Sequence, residues 1–383
     1  MPSLVSRASP PSSTMGDVAS LGDLPIRDDL RGKSPYGAPM IDVPVTLNVN
    51  ENTHPVPEEV RKSILEAISE ALETVNRYPD REFTALRDAL ARYVNTRPGA
   101  TETPVTTEQL WAANGSNEVL QHVMQAFGGP GRSVLGFPPT YSMHPIIAEA
   151  TGTTWVTAER DPGYEISAET AVAAIQALSP DLVFFCAPNN PTGTGVALET
   201  IEAAYDATGG VVLVDEAYIE FAPDDYPSAR QLLPGRERLL ISRTMSKAFA
   251  FAGARLGYLL ADPAVIDALR LVRLPYHLSA ITQAAATAAL GHHEVMLQMV
   301  DDIRSQRDRL VTELTGMGYS VSPSVANFVL FHGVDDPAST FQGLLDRGVL
   351  VRDVGIPGAL RVSAGTDAET TAFLDALAAI EQK

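Results

Sequence analysis

The 383-residue chain predicts an α/β protein, with a three-layer domain around a mainly parallel sheet and a smaller α+β domain at the C-terminal end. Two observations carry this reading. Between residues 130 and 260, short apolar runs without polar alternation recur between helical or turn-rich segments, the pattern of strands covered on both faces by helices. From about residue 276 the repeat gives way to a long helical stretch, two strand-like segments and a closing helix. The expected division is a flexible tail and arm over 1–45, a large domain over 46–275 and a small domain over 276–383.

The elements follow in order. MPSLVSRASPPSSTMGDVAS (1–20) is rich in Ser and Pro and lacks the apolar stretch of a secretory signal, so it reads as a tail, with Met15 a second candidate start. VRKSILEAISEALETV (60–75) and TALRDALARYV (84–94) space apolar residues three and four apart, as amphipathic helices do. AANGSNEVLQHVMQAFG (112–128) runs from a glycine turn into a helix whose apolar face is Val119, Leu120, Val123, Met124 and Phe127. Six runs then read as strands: SVLGF (133–137), TWVTA (154–158), LVFFCA (182–187), VVLVD (211–215), LLIS (239–242) and LGYLLA (256–261). Residues 279–316 read as mostly helical, VSPSVANFVLF and GVLVRDV as strands, and 367–381 as a helix. His292 and His293 fall in a polar break without carboxylate or cysteine at ligand spacing, so no metal site is expected.

Composition narrows the function. Hydrophobic content of 45% and charged content of 20% are those of a soluble globular protein, and no apolar stretch is long enough to span a membrane. A formal charge of -19 argues against nucleic acid or an anionic membrane as partner. Any anion must then be held by a few placed arginines. The single cysteine, Cys186, permits no internal disulfide, fits a reducing cytoplasm and sits in an apolar run as a buried structural thiol.

Polar clusters follow the strand-like runs, where α/β sheets place their ligands. They are PNNPTG (188–193), DEAY (215–218), RTMSK (243–247) and AGAR (252–255). Lys247, followed by Ala248, Phe249 and Phe251, either extends to solvent or loses water, and loss of water favours the neutral nucleophilic amine. Asp215 could cap a helix or hold a cation, and the turn at Ser116 and Asn117 presents backbone N–H groups to an anion. Pyridoxal 5'-phosphate requires all of these together: a lysine for its aldehyde carbon, an acid for its ring nitrogen, donors for its ring oxygen and a cradle for its phosphate.

With PNNPTG, DEAY, and SK followed by an arginine eight positions on, the chain resembles the fold type I aminotransferases over about residues 25–380. The resemblance implies catalytic roles for Lys247, Asp215 and Tyr218, with Asn189 and Tyr218 on the ring oxygen. It also implies Ser116, Asn117, Thr244, Ser246 and Arg255 around the phosphate and Tyr141 stacked on the ring. RGKSPYGAP (31–39), LNVNENTHPVP (47–57), NRYPD (76–80) and LRVSAG (360–365) are similar to stretches of the histidinol-phosphate aminotransferases. That likeness implies a cytoplasmic homodimer in histidine biosynthesis, in which Tyr78 reaches the phosphate of the neighbouring subunit's cofactor. It also implies that Arg361 binds the acidic end of the substrate and that Tyr36 and Arg352 line its pocket. The expected substrates are L-histidinol phosphate and 2-oxoglutarate. Thr53 and His54 depart from the family's usual proline after Asn-Glu-Asn, as do Phe251 and Ala364 at their positions. An aromatic amino acid aminotransferase, a lyase or decarboxylase, and a non-catalytic regulatory module stand as alternatives at this stage.

Overall fold

The structure, a computed structural model, describes residues 20–97 and 104–381, so most of the expected tail lies outside the described residues. Among the described residues, those up to Met40 form one unit and those from Ile41 onward another. The described part of the first holds two short 3-10 turns, Leu21–Asp23 and Asp28–Leu30, and includes Tyr36.

The strands of the second unit are β1 (Val45–Thr46), β2 (Leu110–Ala113), β3 (Ser133–Gly136), β4 (Thr154–Thr157), β5 (Leu182–Cys186), β6 (Val211–Asp215), β7 (Leu239–Thr244), β8 (Gly257–Leu260), β9 (Ser320–Val321), β10 (Phe328–His332), β11 (Val349–Leu350) and β12 (Ala359–Ser363). Its helices are α1 (Glu58–Leu72), α2 (Thr84–Thr96), α3 (Ser116–Phe127), α4 (Met143–Ala150), α5 (Ala168–Leu178), α6 (Leu198–Ala207), α7 (Pro263–Val272), α8 (Ala280–Gly291), α9 (His293–Gly316), α10 (Pro337–Leu345) and α11 (Asp367–Glu381).

Seven strands form the main sheet in the order β2-β8-β7-β6-β5-β3-β4. All neighbours pair parallel except β8, which is antiparallel to both β2 and β7. Strands β5, β6 and β7 are buried at every position, which requires cover on both faces. Their register aligns Cys186 with Asp215, the ends of β5 and β6, and Asp215 with Ser242 on β7. β2 was not expected. Its four residues, LWAA, include no β-branched side chain and precede the glycine turn without a break.

The C-terminal part carries a separate three-stranded antiparallel sheet, β12-β10-β9. The mostly helical stretch over 279–316 is two helices that meet at His292, in the expected polar break, where φ is -115°. Residues 45–50, assigned from sequence mainly to the large domain, are hydrogen-bonded to C-terminal strands. β1 pairs parallel with β11, and the Ser363 N–H donates to the Leu47 carbonyl at 2.9 Å. This extended segment therefore carries the smaller sheet's bonding up to the ends of β6 and β7.

Candidate active site

Lys247 lies three residues past β7, in a loop closed by backbone bonds from Met245 N–H to Leu256 and from Phe251 N–H to Met245. Its Nζ donates to the Val49 carbonyl at 2.9 Å. Burial lowers its pKa from 10.5 to about 8; the Arg361 and Arg255 cations push the same way and Glu51 opposes them. The amine is thus far easier to deprotonate than an exposed lysine.

Asp215 ends β6 and is almost wholly buried. Ser242 Oγ donates to Oδ1 at 2.7 Å, and His144 Nε2 meets Oδ2 at 3.1 Å. Neither supporting residue was anticipated from sequence. Ser242 stands two residues before Thr244, so strand alternation places both on one face of β7. His144 comes three residues after Tyr141 and packs edge-on against both Tyr141 and Phe184.

A cradle closes one end of the site. The chain leaves β2, turns at Gly115 with φ of 84°, and enters α3 at Ser116. A Cβ at Gly115 would lie 2.5 Å from the Arg255 guanidinium, and one at Gly257 would lie 2.2 Å from the Ser116 nitrogen. Both positions need glycine so that the helix N-terminus and the arginine can approach each other. The Ser246 N–H donates to Thr244 Oγ1 at 3.1 Å, and the two hydroxyls lie 2.9 Å apart.

Ser116, Asn117, Tyr141, Asp215, Tyr218, Thr244, Ser246, Lys247 and Arg255 line one cavity of about 380 Å³. The Tyr141 hydroxyl donates to Asn117 Oδ1 at 3.2 Å. Cys186 also borders the cavity, and burial pushes its thiol up to about 12, which leaves it protonated.

Other expected residues lie elsewhere. Asn189 is turned away: its Nδ2 donates to the Pro139 carbonyl at 3.0 Å and Thr192 Oγ1 at 2.8 Å. Its neighbour Asn190 instead donates to the Tyr218 hydroxyl at 3.2 Å and accepts from Arg361 Nη1 at 2.5 Å. Arg361 is buried, with Nη2 on the Asn48 carbonyl at 2.7 Å and its guanidinium over the Phe328 ring. Arg352 pairs with Arg361 through the backbone, 2.9 Å in each direction. Tyr78 is 80% exposed and stacks on Tyr276 at 4.3 Å.

The sequence model of aminotransferases of class I and II matches residues 43–377. The chain belongs to the class I and II aminotransferase family. This aminotransferase is 58% identical over 363 residues to the histidinol-phosphate aminotransferase of Paenarthrobacter aurescens, spanning 94% of this chain and 96% of that one. It is 54% identical over 362 residues to that of Mycolicibacterium smegmatis, with 94% of each covered. Among solved structures it is similar to the histidinol-phosphate aminotransferase of Sinorhizobium meliloti in complex with pyridoxal-5'-phosphate. That match has a TM-score of 0.77 and 26% identity, and covers 89% of this chain and 91% of that one.

Two motif residues of the aminotransferase form a buried ion pair beside Asp215 and Thr244 in the chain. Glu216, next to Asp215, pairs with Arg243 at 2.8 Å, both fully buried, and accepts from Ser228 Oγ and the Ala229 N–H. No helix of the described residues is long and apolar enough to cross a membrane.

Proposed function

We propose that this aminotransferase transfers the amino group of L-histidinol phosphate to 2-oxoglutarate, giving imidazole-acetol phosphate and glutamate, as a step of histidine biosynthesis. The observation that carries the reading is one cavity holding a buried lysine amine, a supported carboxylate, a tyrosine and an anion cradle, in a chain more than half identical to histidinol-phosphate aminotransferases along nearly its full length.

The residues fit pyridoxal 5'-phosphate. Tight glycines at 115 and 257 leave the α3 N-terminus and Arg255 open to a phosphate, and Asp215 has the charge and burial to hold a protonated ring nitrogen. Bound there, the group supplies an aldehyde carbon for the amine and a ring that accepts electrons from the α-carbon. Lys247 would anchor it, and its easily deprotonated Nζ, freed when the substrate amine takes its place on the aldehyde carbon, would carry the proton from the substrate α-carbon to that carbon. Asp215, held through both oxygens, keeps the ring-nitrogen proton in place. Ser116, Asn117, Thr244, Ser246 and Arg255 would hold the phosphate, Tyr141 would pack on the ring, and Tyr218 with Asn190 would serve the ring oxygen.

Arg361 would grip the acidic end of either substrate through its forked N–H donors, with Arg352 beside it. A cytoplasmic homodimer completes the site with Tyr78 of a second copy. In support, Leu65, Leu72, Val75, Leu271 and Leu274 are exposed apolar side chains, as is Tyr78 itself. The test is a steady-state assay with 2-oxoglutarate, comparing L-histidinol phosphate with L-phenylalanine as amino donor. A kcat/KM at least tenfold higher for histidinol phosphate is expected, and a preference for phenylalanine would overturn the substrate.

A further inference from the structure

We propose that β12 fixes the direction of the Tyr218 proton through two asparagine amides, and that Asn50 is a positioning residue for the tyrosine's contact with the cofactor ring oxygen. The inference rests on the pyridoxal phosphate reading above. A phenol oxygen has one proton to donate and two lone pairs that accept. At Tyr218 both are approached by amide nitrogens: Asn50 Nδ2 at 3.0 Å and Asn190 Nδ2 at 3.2 Å.

The two ends of an amide have nearly the same shape, so their orientation has to follow from their other partners. Both amides are determined. Asn190 meets the Arg361 guanidinium, which can only donate, so the facing atom is the amide oxygen and its NH₂ must point to Tyr218. Ser363 Oγ accepts from the Asn50 backbone N–H at 3.0 Å and so donates its own proton to Asn50 Oδ1 at 3.1 Å. The Asn50 NH₂ is thereby left for the tyrosine. Arg361 and Ser363 stand two residues apart on β12, on one face of the strand. A single strand therefore orients both donors.

With two N–H groups on its oxygen, the Tyr218 proton is directed away from both asparagines and into the cavity that Tyr218 lines. The same donors make the phenol a stronger hydrogen-bond donor to whatever oxygen lies there. Asn50 does not itself line the cavity and acts only through Tyr218. Its backbone lies in the left-handed region, φ 56°, where asparagine is better tolerated than most residues, and Asn327 Nδ2 fixes its carbonyl at 3.0 Å. The two arms differ in use. Arg361 is also the proposed grip on substrate, so the Asn190 arm responds to binding while the Asn50 arm stays constant.

The test is a pH titration of the visible band of the cofactor-loaded protein, with cofactor content and Tm measured alongside. A tyrosine proton donated to the ring oxygen keeps that oxygen ionised to lower pH. Ser363→Ala frees the Asn50 amide and should raise the midpoint by about half a pH unit. Asn50→Asp puts an acceptor where a donor stood, draws the proton out of the cavity, and should raise the midpoint by about one unit or more. In a Tyr218→Phe background Asn50→Asp should add no further shift. Midpoints equal to wild type in both variants with cofactor bound, or an Asn50→Asp shift that persists without the tyrosine hydroxyl, would overturn the inference. If Asn50→Asp fails to fold, Ser363→Ala decides alone. A wild-type protein that takes up no pyridoxal phosphate would instead remove the reading beneath it.

Discussion

Replacing Lys247 by Met should stabilise the cofactor-free protein at neutral pH and cease to do so in alkali. Burial lowers the lysine pKa from 10.5 to about 8. At ~1.4 kcal/mol per unit, holding the ammonium in the folded state at pH 7.5 costs about 3 kcal/mol. Methionine removes that cost and loses the hydrogen bond to the Val49 carbonyl, worth about 1 kcal/mol, for a net gain of about 2 kcal/mol. The sign with pH follows from proton counting. Between pH 8 and 10.5 the unfolded chain keeps the lysine proton while the folded protein has released it, so wild-type stability rises with pH there. The advantage of Lys247→Met is constant below pH 7 and shrinks to near zero at pH 10. Urea unfolding of both cofactor-free proteins at pH 7.5 and pH 10 measures it. An absent gain at pH 7.5, or a gain that widens with pH, would refute the argument that the amine is held against its own desolvation.

Three other outcomes are expected. Gly257→Ala should weaken pyridoxal phosphate binding at least about tenfold, since the new methyl would press on the Ser116 nitrogen at 2.2 Å; equilibrium titration of the cofactor-free protein checks this. Glu216→Gln leaves Arg243 buried without its charge partner and should cost about 3–5 kcal/mol, seen as a lowered Tm. His144→Phe removes the partner of Asp215 Oδ2 and should lower kcat about 10- to 100-fold at saturating donor; an unchanged kcat would make His144 a packing residue only.

Much of this arrangement could be read from the chain because the chemistry sits at the ends of conspicuous strands. Buried parallel strands lack alternation, so LVFFC, VVLVD and the run beginning LLIS mark themselves, and the polar residues that follow them converge on one cavity. What could not be read depends on which way neighbouring side chains face. Tandem Asn189 and Asn190 are equivalent in sequence, yet only Asn190 reaches Tyr218, because the loop spends the Asn189 amide on Pro139 and Thr192. His144 and Ser242 carry no motif of their own and Asn50 sits in one that assigns it no role; each acquires its role by meeting a residue 71, 27 or 168 positions away. Residues 45–50 were assigned by proximity in sequence, whereas their hydrogen bonds run to strands near the other end of the chain.

The most direct measurement is borohydride reduction of the purified protein with pyridoxal phosphate, followed by mass analysis of its peptides. A pyridoxyl group on the peptide containing Lys247, and on no other lysine, is the predicted result. Labelling elsewhere, or none while the cofactor is present in excess, would contradict the assignment of Lys247 as the residue that carries the chemistry.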